Sequence, residues 1–287
     1  MNDVMREVLG ELGLVDRNWQ ESSYCPGVLE ATIPGGEPAI ETWAALRDRY
    51  GETGYWPILR GEILRSESPK IADAPSPPPI DVEAVLARVP RGTVAEVLDA
   101  YRAREWEAIN EGLRLMNEKL RSQGRPELPV YNHELVATEE DNEHEDESCE
   151  PWPQEPMSGG ALQLTGVFDL RMRTPLGACG IALVSARHPA HAPAHLGFGG
   201  WNEVPRDEVL VAIFLDWNRR FGAVPAVITH DVVEFSVDRP PQTEMAAMAL
   251  AREHSKLCSD IVSQGVGSIL HLGMILWQSP QWYFWWD

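Results

Sequence analysis

Gln281-Trp282-Tyr283-Phe284-Trp285-Trp286-Asp287 is the stretch whose reading decides the fold. Its five successive aromatic side chains carry more apolar area than water tolerates, and aromatics dominate core burial. Successive side chains of a strand alternate between faces, so Trp282, Phe284 and Trp286 point one way and Tyr283 and Trp285 the other. A strand apolar on both faces belongs inside a sheet covered on both sides. The segment is therefore expected as a buried strand at the centre of a sheet; the competing reading is an exposed aromatic binding platform.

Working outward, Ser268 to Trp277 reads as a helix leading into this strand. Before it, Thr243 caps a helix running to about Val262, after a break at Pro240-Pro241. Ala226–Thr229 and Val232–Val237 read as strands, the second alternating Val233, Phe235, Val237 against Glu234, Ser236, Asp238. Asp207–Phe221 is a helix with Leu210, Ile213, Phe214, Trp217 and Phe221 turned inward. Leu164–Met172 and Gly180–Ala186, joined through Thr174-Pro175-Leu176-Gly177, predict a hairpin.

The first residues, 1–15, suit an amphipathic helix with Val4, Val8, Leu9 and Leu12 at helical spacing. Val28–Ile33 is a strand, Pro34-Gly35-Gly36 a turn, and Ala39–Tyr50 a helix carrying Ile40, Trp43, Ala44 and Leu46. Thr53–Leu59 gives a turn and a strand, in which Pro57 restricts the strand to a sheet edge or its own first residues. Residues 66–80 form a stiff Pro-rich linker. Asp81 then caps a short helix bearing Val82, Val85 and Leu86. Thr93 opens a long one, with Glu96 completing a capping box. Its stripe runs Val94, Val97, Leu98, Tyr101, Ile109, Leu113, Met116, Leu120, and Gly124 and Pro126 end it. From Thr138 to Pro156 the chain is acidic, with eight carboxylates in residues 139–150, which reads as a mobile loop.

The expected architecture is α+β: a mixed β-sheet flanked by helices, with a helical insertion after a Pro-rich linker. Its parts are N-terminal αβ elements (1–65), linker (66–80), helical segment (81–125), acidic loop (126–160) and a C-terminal α+β domain (161–287).

Composition narrows the function. The net charge is −20, from 44 acidic and 24 basic side chains, and no basic stripe offsets it, which speaks against nucleic-acid binding. An acidic surface favours basic partners, although high charge also simply maintains solubility. No stretch reaches the roughly 18–20 apolar residues of a membrane span, and the first residues do not form a signal peptide. Cys25, Cys149, Cys179 and Cys258 are scattered without a CxxC pair, so a reducing cytoplasm is the expected compartment.

Gly199-Gly200-Trp201-Asn202, Phe235-Ser236-Val237 with Pro240-Pro241, Cys258-Ser259-Asp260-Ile261-Val262-Ser263-Gln264-Gly265 and the closing Trp282-Tyr283-Phe284-Trp285-Trp286-Asp287 together resemble the bacterial family DUF4253, a domain of unknown function. The resemblance covers about residues 176–287. Residues 36–61, with Thr53-Gly54-Tyr55-Trp56-Pro57, look like the N-terminal part of longer members, and 66–160 have no counterpart. The resemblance implies a bacterial cytoplasmic α+β protein and no activity, substrate or catalytic residue.

Three constellations are candidates for chemistry. His254 and Cys258, at i and i+4, would touch on a helix, and an imidazole beside a thiol can make a nucleophile, with Asp260 or Asp231 to orient it. The same positions lie on the apolar stripe with Ala247, Leu250, Ala251 and Ile261, where an inert core thiol is the plainer reading. His188, His191 and His195 could ligate a metal, but Pro189 and Pro193 are expected to prevent a helix that would aim them together, and surface-loop histidines are the plainer reading. Trp201, Asn202, Asp260 and Gln264 are the preferred binding pocket, beside a glycine-rich turn and a helix N-terminus suited to an anion. No phosphate loop, GxSxG, HExxH or dinucleotide fingerprint occurs, and no cofactor is implied. The leading expectation is a non-catalytic binding or protective, immunity-like protein with a basic protein or small molecule as partner. The alternative is a small-molecule enzyme using the Cys/His pair or a metal in the His loop.

Overall fold

A computed structural model describes residues 1–62, 78–129, 151–157, 160–169 and 171–287. The acidic run 139–150 and most of the Pro-rich linker, 66–77, lie outside the described residues. The strands are β1 (Gln20–Glu21), β2 (Val28–Ile33), β3 (Tyr55–Glu62), β4 (Phe168–Asp169), β5 (Thr174–Pro175), β6 (Cys179–Ser185), β7 (Ala223–Ile228), β8 (Val232–Val237) and β9 (Gln281–Trp285). Seven of them form one sheet in the order β1-β2-β6-β3-β7-β8-β9, and β4 and β5 pair separately. All neighbours are antiparallel except β3 and β7, which meet in parallel at Leu59 and Val227. The architecture is α+β, and the N-terminal strands share their sheet and core with the C-terminal ones.

The aromatic strand β9 ends the sheet, where a central place was expected. Trp282, Phe284 and Trp286 are buried, but Tyr283 is 37% exposed and Trp285 half-buried. One face of β9 is fully covered and the other only in part. The other carries the two side chains whose polar tips can meet water.

Strand pairing decides between the two places open to Pro57 and overturns one other expectation. β3 is interior, and Pro57 stands among its first residues, the third of eight. The proline is tolerated because it precedes Leu59, where the pairing with β7 is made, and a missing N–H matters only where a neighbour would accept from it. The expected hairpin from Leu164 to Ala186 does not form. β6 pairs instead with β2 and β3, since Cys179 to Val184 are buried throughout and need a strand on either side. Thr174-Pro175 turns back on Phe168-Asp169. The adjoining Leu176 lies so close to Gly35 that a Cβ there would sit 2.3 Å from its carbonyl oxygen.

Helices α1 (Asp3–Glu11), α2 (Glu37–Asp48), α3 (Tyr50–Thr53), α4 (Val82–Ala87) and α5 (Val94–Ser122) precede α6 (Ala192–Leu196), α7 (Asp207–Phe221), α8 (Glu244–Leu257) and α9 (Ile269–Leu276). Their starts follow the caps legible in the sequence. Asp81 accepts from Ala84 N–H, Thr93 and Glu96 form the reciprocal box, and Thr243 and Ser268 cap α8 and α9. α8 stops at Leu257 rather than near Val262, and a π-type turn, Ile261–Val266, follows it. Trp217 of α7 packs against Phe235, Trp282 and Phe284, joining α7 to the covered face of β8 and β9. Among the described residues no helix is long and apolar enough to cross a membrane.

Candidate functional site

The site is built around the free edge of β9. Val237 N–H donates to the Pro280 carbonyl and Trp286 N–H to the Asp231 carbonyl, so even-numbered residues of this segment turn their backbone toward β8. Alternation then directs the N–H and C=O groups of Gln281, Tyr283 and Trp285 outward. Two outward carbonyls are occupied. The Ser279 hydroxyl donates to Gln281 O at 2.7 Å and the Cys258 thiol to Trp285 O at 2.9 Å. Tyr283 N–H and C=O have no outward partner among the described residues.

Along this edge runs a groove of about 550 Å³. The Ile261–Val266 turn and α9 supply its wall through Ile261, Val266, Leu272 and Leu276. β9 supplies Tyr283 and Trp285, and Met157, Ala161 and Gln163 close the rim. Among the described residues no Asp, Glu, Lys or Arg lines it, although the chain carries 68 such residues (44 acidic plus 24 basic). Burial, with Glu234 and Asp231 nearby, pushes the Tyr283 hydroxyl up to about 12, so it stays a neutral donor.

The rim is anchored by a residue that the sequence reading placed on an outer polar face. Glu234 is 1% exposed. Its carboxylate accepts from Thr165 N–H at 2.8 Å, the Thr165 hydroxyl at 3.0 Å and Gly166 N–H at 2.6 Å. Burial raises its pKa against the opposing effect of these bonds. A Cβ on Gly166 would meet Val227 Cγ1 at 2.7 Å, so glycine permits the close approach. Gln163 N–H also donates to the Gln281 side chain.

The structure brings together three of the four residues expected as a binding pocket, around Asp287. Asn202 donates to the Asp287 backbone oxygen, Asp260 Oδ2 accepts from Asp287 N–H at 3.0 Å, and Gln264 donates to Asp260 Oδ1 at 2.9 Å. These side chains hold the end of β9 and the turn beside it. Asn202 has φ +47°, a conformation asparagine accepts better than most residues. Trp201 stands apart, edge-on to His230 with ring centroids 4.8 Å apart.

His254 and Cys258 are both buried; Cys258 N–H donates to the His254 carbonyl at 2.9 Å as the end of α8, but among the described residues no hydrogen bond joins imidazole and thiol. His254 sits among Trp217, Trp282 and Phe284, at 4.8, 4.8 and 4.6 Å between centroids, and neither ring nitrogen has a hydrogen-bond partner among the described residues. Burial, with Arg220 adding to it, holds its pKa well below 6.5. Burial pushes the Cys258 thiol up to about 12, away from the thiolate that nucleophilic chemistry needs. Asp260 is engaged with Asp287 and Gln264. Asp231 accepts from Thr229.

The His loop folds differently from the expectation. Pro189 opens a 3-10 turn, Pro189–His191, and Pro193 stands in the first turn of α6, positions where a missing N–H is harmless. His188 Nδ1 accepts from Ala190 N–H, and the His188 and His191 rings are 5.8 Å apart. His195 is 8% exposed, and burial brings its pKa to about 4. Among the described residues no group of three or more His, Cys, Asp or Glu is placed to hold a metal ion.

The groove, the Ile261–Val266 turn and most of the sheet edge fall in one part of the chain. Residues 180–287 match the family model of DUF4253, a domain of unknown function. No curated protein matches the chain, and no solved structure does. The DUF4253 region contributes β6–β9 and α6–α9, whereas Met157, Ala161 and Gln163 on the groove rim lie before it. Sequence reasoning missed Tyr283, Trp285 and Glu234 as site residues. The alternation of β9 was a usable signal for the first two; for Glu234 the partners Thr165 and Gly166 lie 69 and 68 residues away along the chain and are invisible to local pattern.

Proposed function

We propose that this is a non-catalytic binding protein whose site is the β9 groove, and that it takes an extended, uncharged segment of a partner protein alongside the strand. One observation carries the reading: an uncharged groove lies along a strand edge whose Tyr283 backbone groups have no outward partner. An added strand would satisfy those groups, and alternate side chains would fill the apolar wall, the usual division between affinity and specificity in strand addition. An unprotected edge is otherwise a liability that proteins cover or blunt. Asp260, Asp287 and Glu203 lie at one end, joined through Ser259 and the Asp260–Asp287 bond, and favour a partner with basic residues flanking its apolar stretch. The buried, protonated Cys258 and the unbonded His254 do not support the enzymatic alternative.

Gly265 supplies the test. It lines the groove, its φ is ordinary, and a Cβ there would have its nearest contact, Asp260 O, at 3.6 Å. A Gly265→Trp substitution should fill the groove with little effect on the fold. The probe is an array of synthetic twelve-residue peptides, apolar in alternate positions, with Lys or Arg at the ends. Wild-type protein is expected to bind a subset of them, and Gly265→Trp to weaken that binding by about 10-fold or more. Binding untouched by Gly265→Trp, or no peptide bound at all, would overturn the proposal.

A further inference from the structure

α5 is longer than the body it packs on. Val94, Val97 and Leu98 are its only buried apolar residues, and beyond them the helix carries an apolar stripe that the sheet and its helices leave uncovered. Ile109 is 47% and Met116 49% exposed; Trp106, Leu113 and Leu120 are half-buried. The spacing from Trp106 to Ile109, Leu113, Met116 and Leu120 is three, four, three, four. That is the a/d repeat of a two-helix seam, about 21 Å long at the α-helical rise.

Charge indicates what covers the seam. Between residues 105 and 121 the first half carries Glu105, Glu107 and Glu111. The second carries Arg114, Lys119 and Arg121, with Glu118 the exception. With Trp106, Leu113 and Leu120 at a and Ile109 and Met116 at d, Glu105 and Lys119 fall at the flanking g positions, and an antiparallel pair sets Glu105 of each copy beside Lys119 of the other, a pairing that a parallel pair does not make. The segment is also almost neutral on a chain of net charge −20, so it is a stretch along which two copies can approach with little repulsion. The ion pairs already present, Arg206–Glu105, Arg114–Glu111 and Arg121–Glu127, are exposed, contribute little and can re-pair.

We infer that the protein self-associates through residues 106–120 of α5, the occupant of the stripe being the same stripe of a second copy in antiparallel orientation. The contact is isologous, so it closes as a two-fold dimer. It is remote in sequence from the β9 groove and stands or falls separately from the binding proposal.

The test is sedimentation equilibrium on the full chain. Wild-type protein is expected at twice the chain mass of 32.0 kDa. The Ile109→Glu/Met116→Glu variant should weaken association by ~100-fold or more, because it buries unpaired charge in the seam. Both residues are exposed, so the variant should keep the wild-type circular dichroism and melting temperature. A second pair of variants tests orientation. Glu105→Lys/Glu107→Lys/Glu111→Lys and Arg114→Glu/Lys119→Glu/Arg121→Glu should each be monomeric alone and form a one-to-one dimer when mixed. A wild-type monomer at about 100 µM, a dimer that survives Ile109→Glu/Met116→Glu, or charge variants that associate alone as wild type does would each overturn the inference.

Discussion

Replacing His254 by leucine should stabilise this protein. The imidazole is fully enclosed by Trp217, Trp282 and Phe284, and neither Nδ1 nor Nε2 has a hydrogen-bond partner among the described residues. Burying a polar group without a partner costs about 1–3 kcal/mol, and leucine is an apolar side chain of similar volume. The gain expected from His254→Leu is therefore ~1–3 kcal/mol, less whatever repacking against three rings requires. An unfolding entropy of about 2.1 cal/mol/K per residue gives ~0.6 kcal/mol/K for a chain of this length, so the melting temperature should rise by roughly 2–5 °C. The pH dependence gives an independent check. His254 is held well below 6.5 by burial, so below that pH the unfolded chain binds a proton that the folded chain does not. Stability is complete above pH 6.5 and is lost as pH falls, by up to about 1.4 kcal/mol per pH unit for this group. His254→Leu should remove that contribution and leave those of His188, His191 and His195, whose values are also lowered by burial. Urea unfolding from pH 7.5 to 5 on both proteins reads both effects. A variant less stable than wild type by more than about 1 kcal/mol, or one with an unchanged pH slope, would refute the reasoning.

Other outcomes follow from the same geometry. Glu234→Ala leaves three donors of the 165–166 segment without their acceptor; a loss of about 3 kcal/mol or more is expected in thermal unfolding, and an unaltered melting temperature would contradict the clamp. Cys258, with its thiol at about 12 and bonded to Trp285 O, should resist iodoacetamide in native protein and react once urea unfolds it, as peptide mass mapping would record. Gly199→Ala should destabilise by ~2–4 kcal/mol, since φ is +122° and the new Cβ would lie 2.3 Å from Pro205 O; a variant that melts with wild type would show that the 199–205 turn relaxes freely.

How much of this was legible beforehand differs from element to element. Helix starts were, because Asp81, Thr93, Thr243 and Ser268 act within one turn of their own position. The covered face of β9 was too, since alternation is a property of a strand by itself. The partners of β6 were not. Its burial shows that it needs neighbours on both sides, but pattern alone does not say that they are β2 and β3, from a distant part of the sequence. The candidate pocket was half legible: Asn202, Asp260 and Gln264 do converge, on Asp287, while the groove itself needed Met157, Ala161 and Gln163 on the rim and the wall from α9.

The sequence by itself therefore determined the α+β class, the extent of most helices and strands, the acidic balance and the residues that must be buried. These follow from interactions spanning a few residues and from period. Only the tertiary structure decided that the aromatic strand lies at an edge, that Glu234 is buried, that the His254 imidazole and the Cys258 thiol are not bonded to each other, and that the apolar stripe of α5 is left open beyond Tyr101. Each of those depends on which segments meet, and a side chain's environment is set by neighbours remote along the chain.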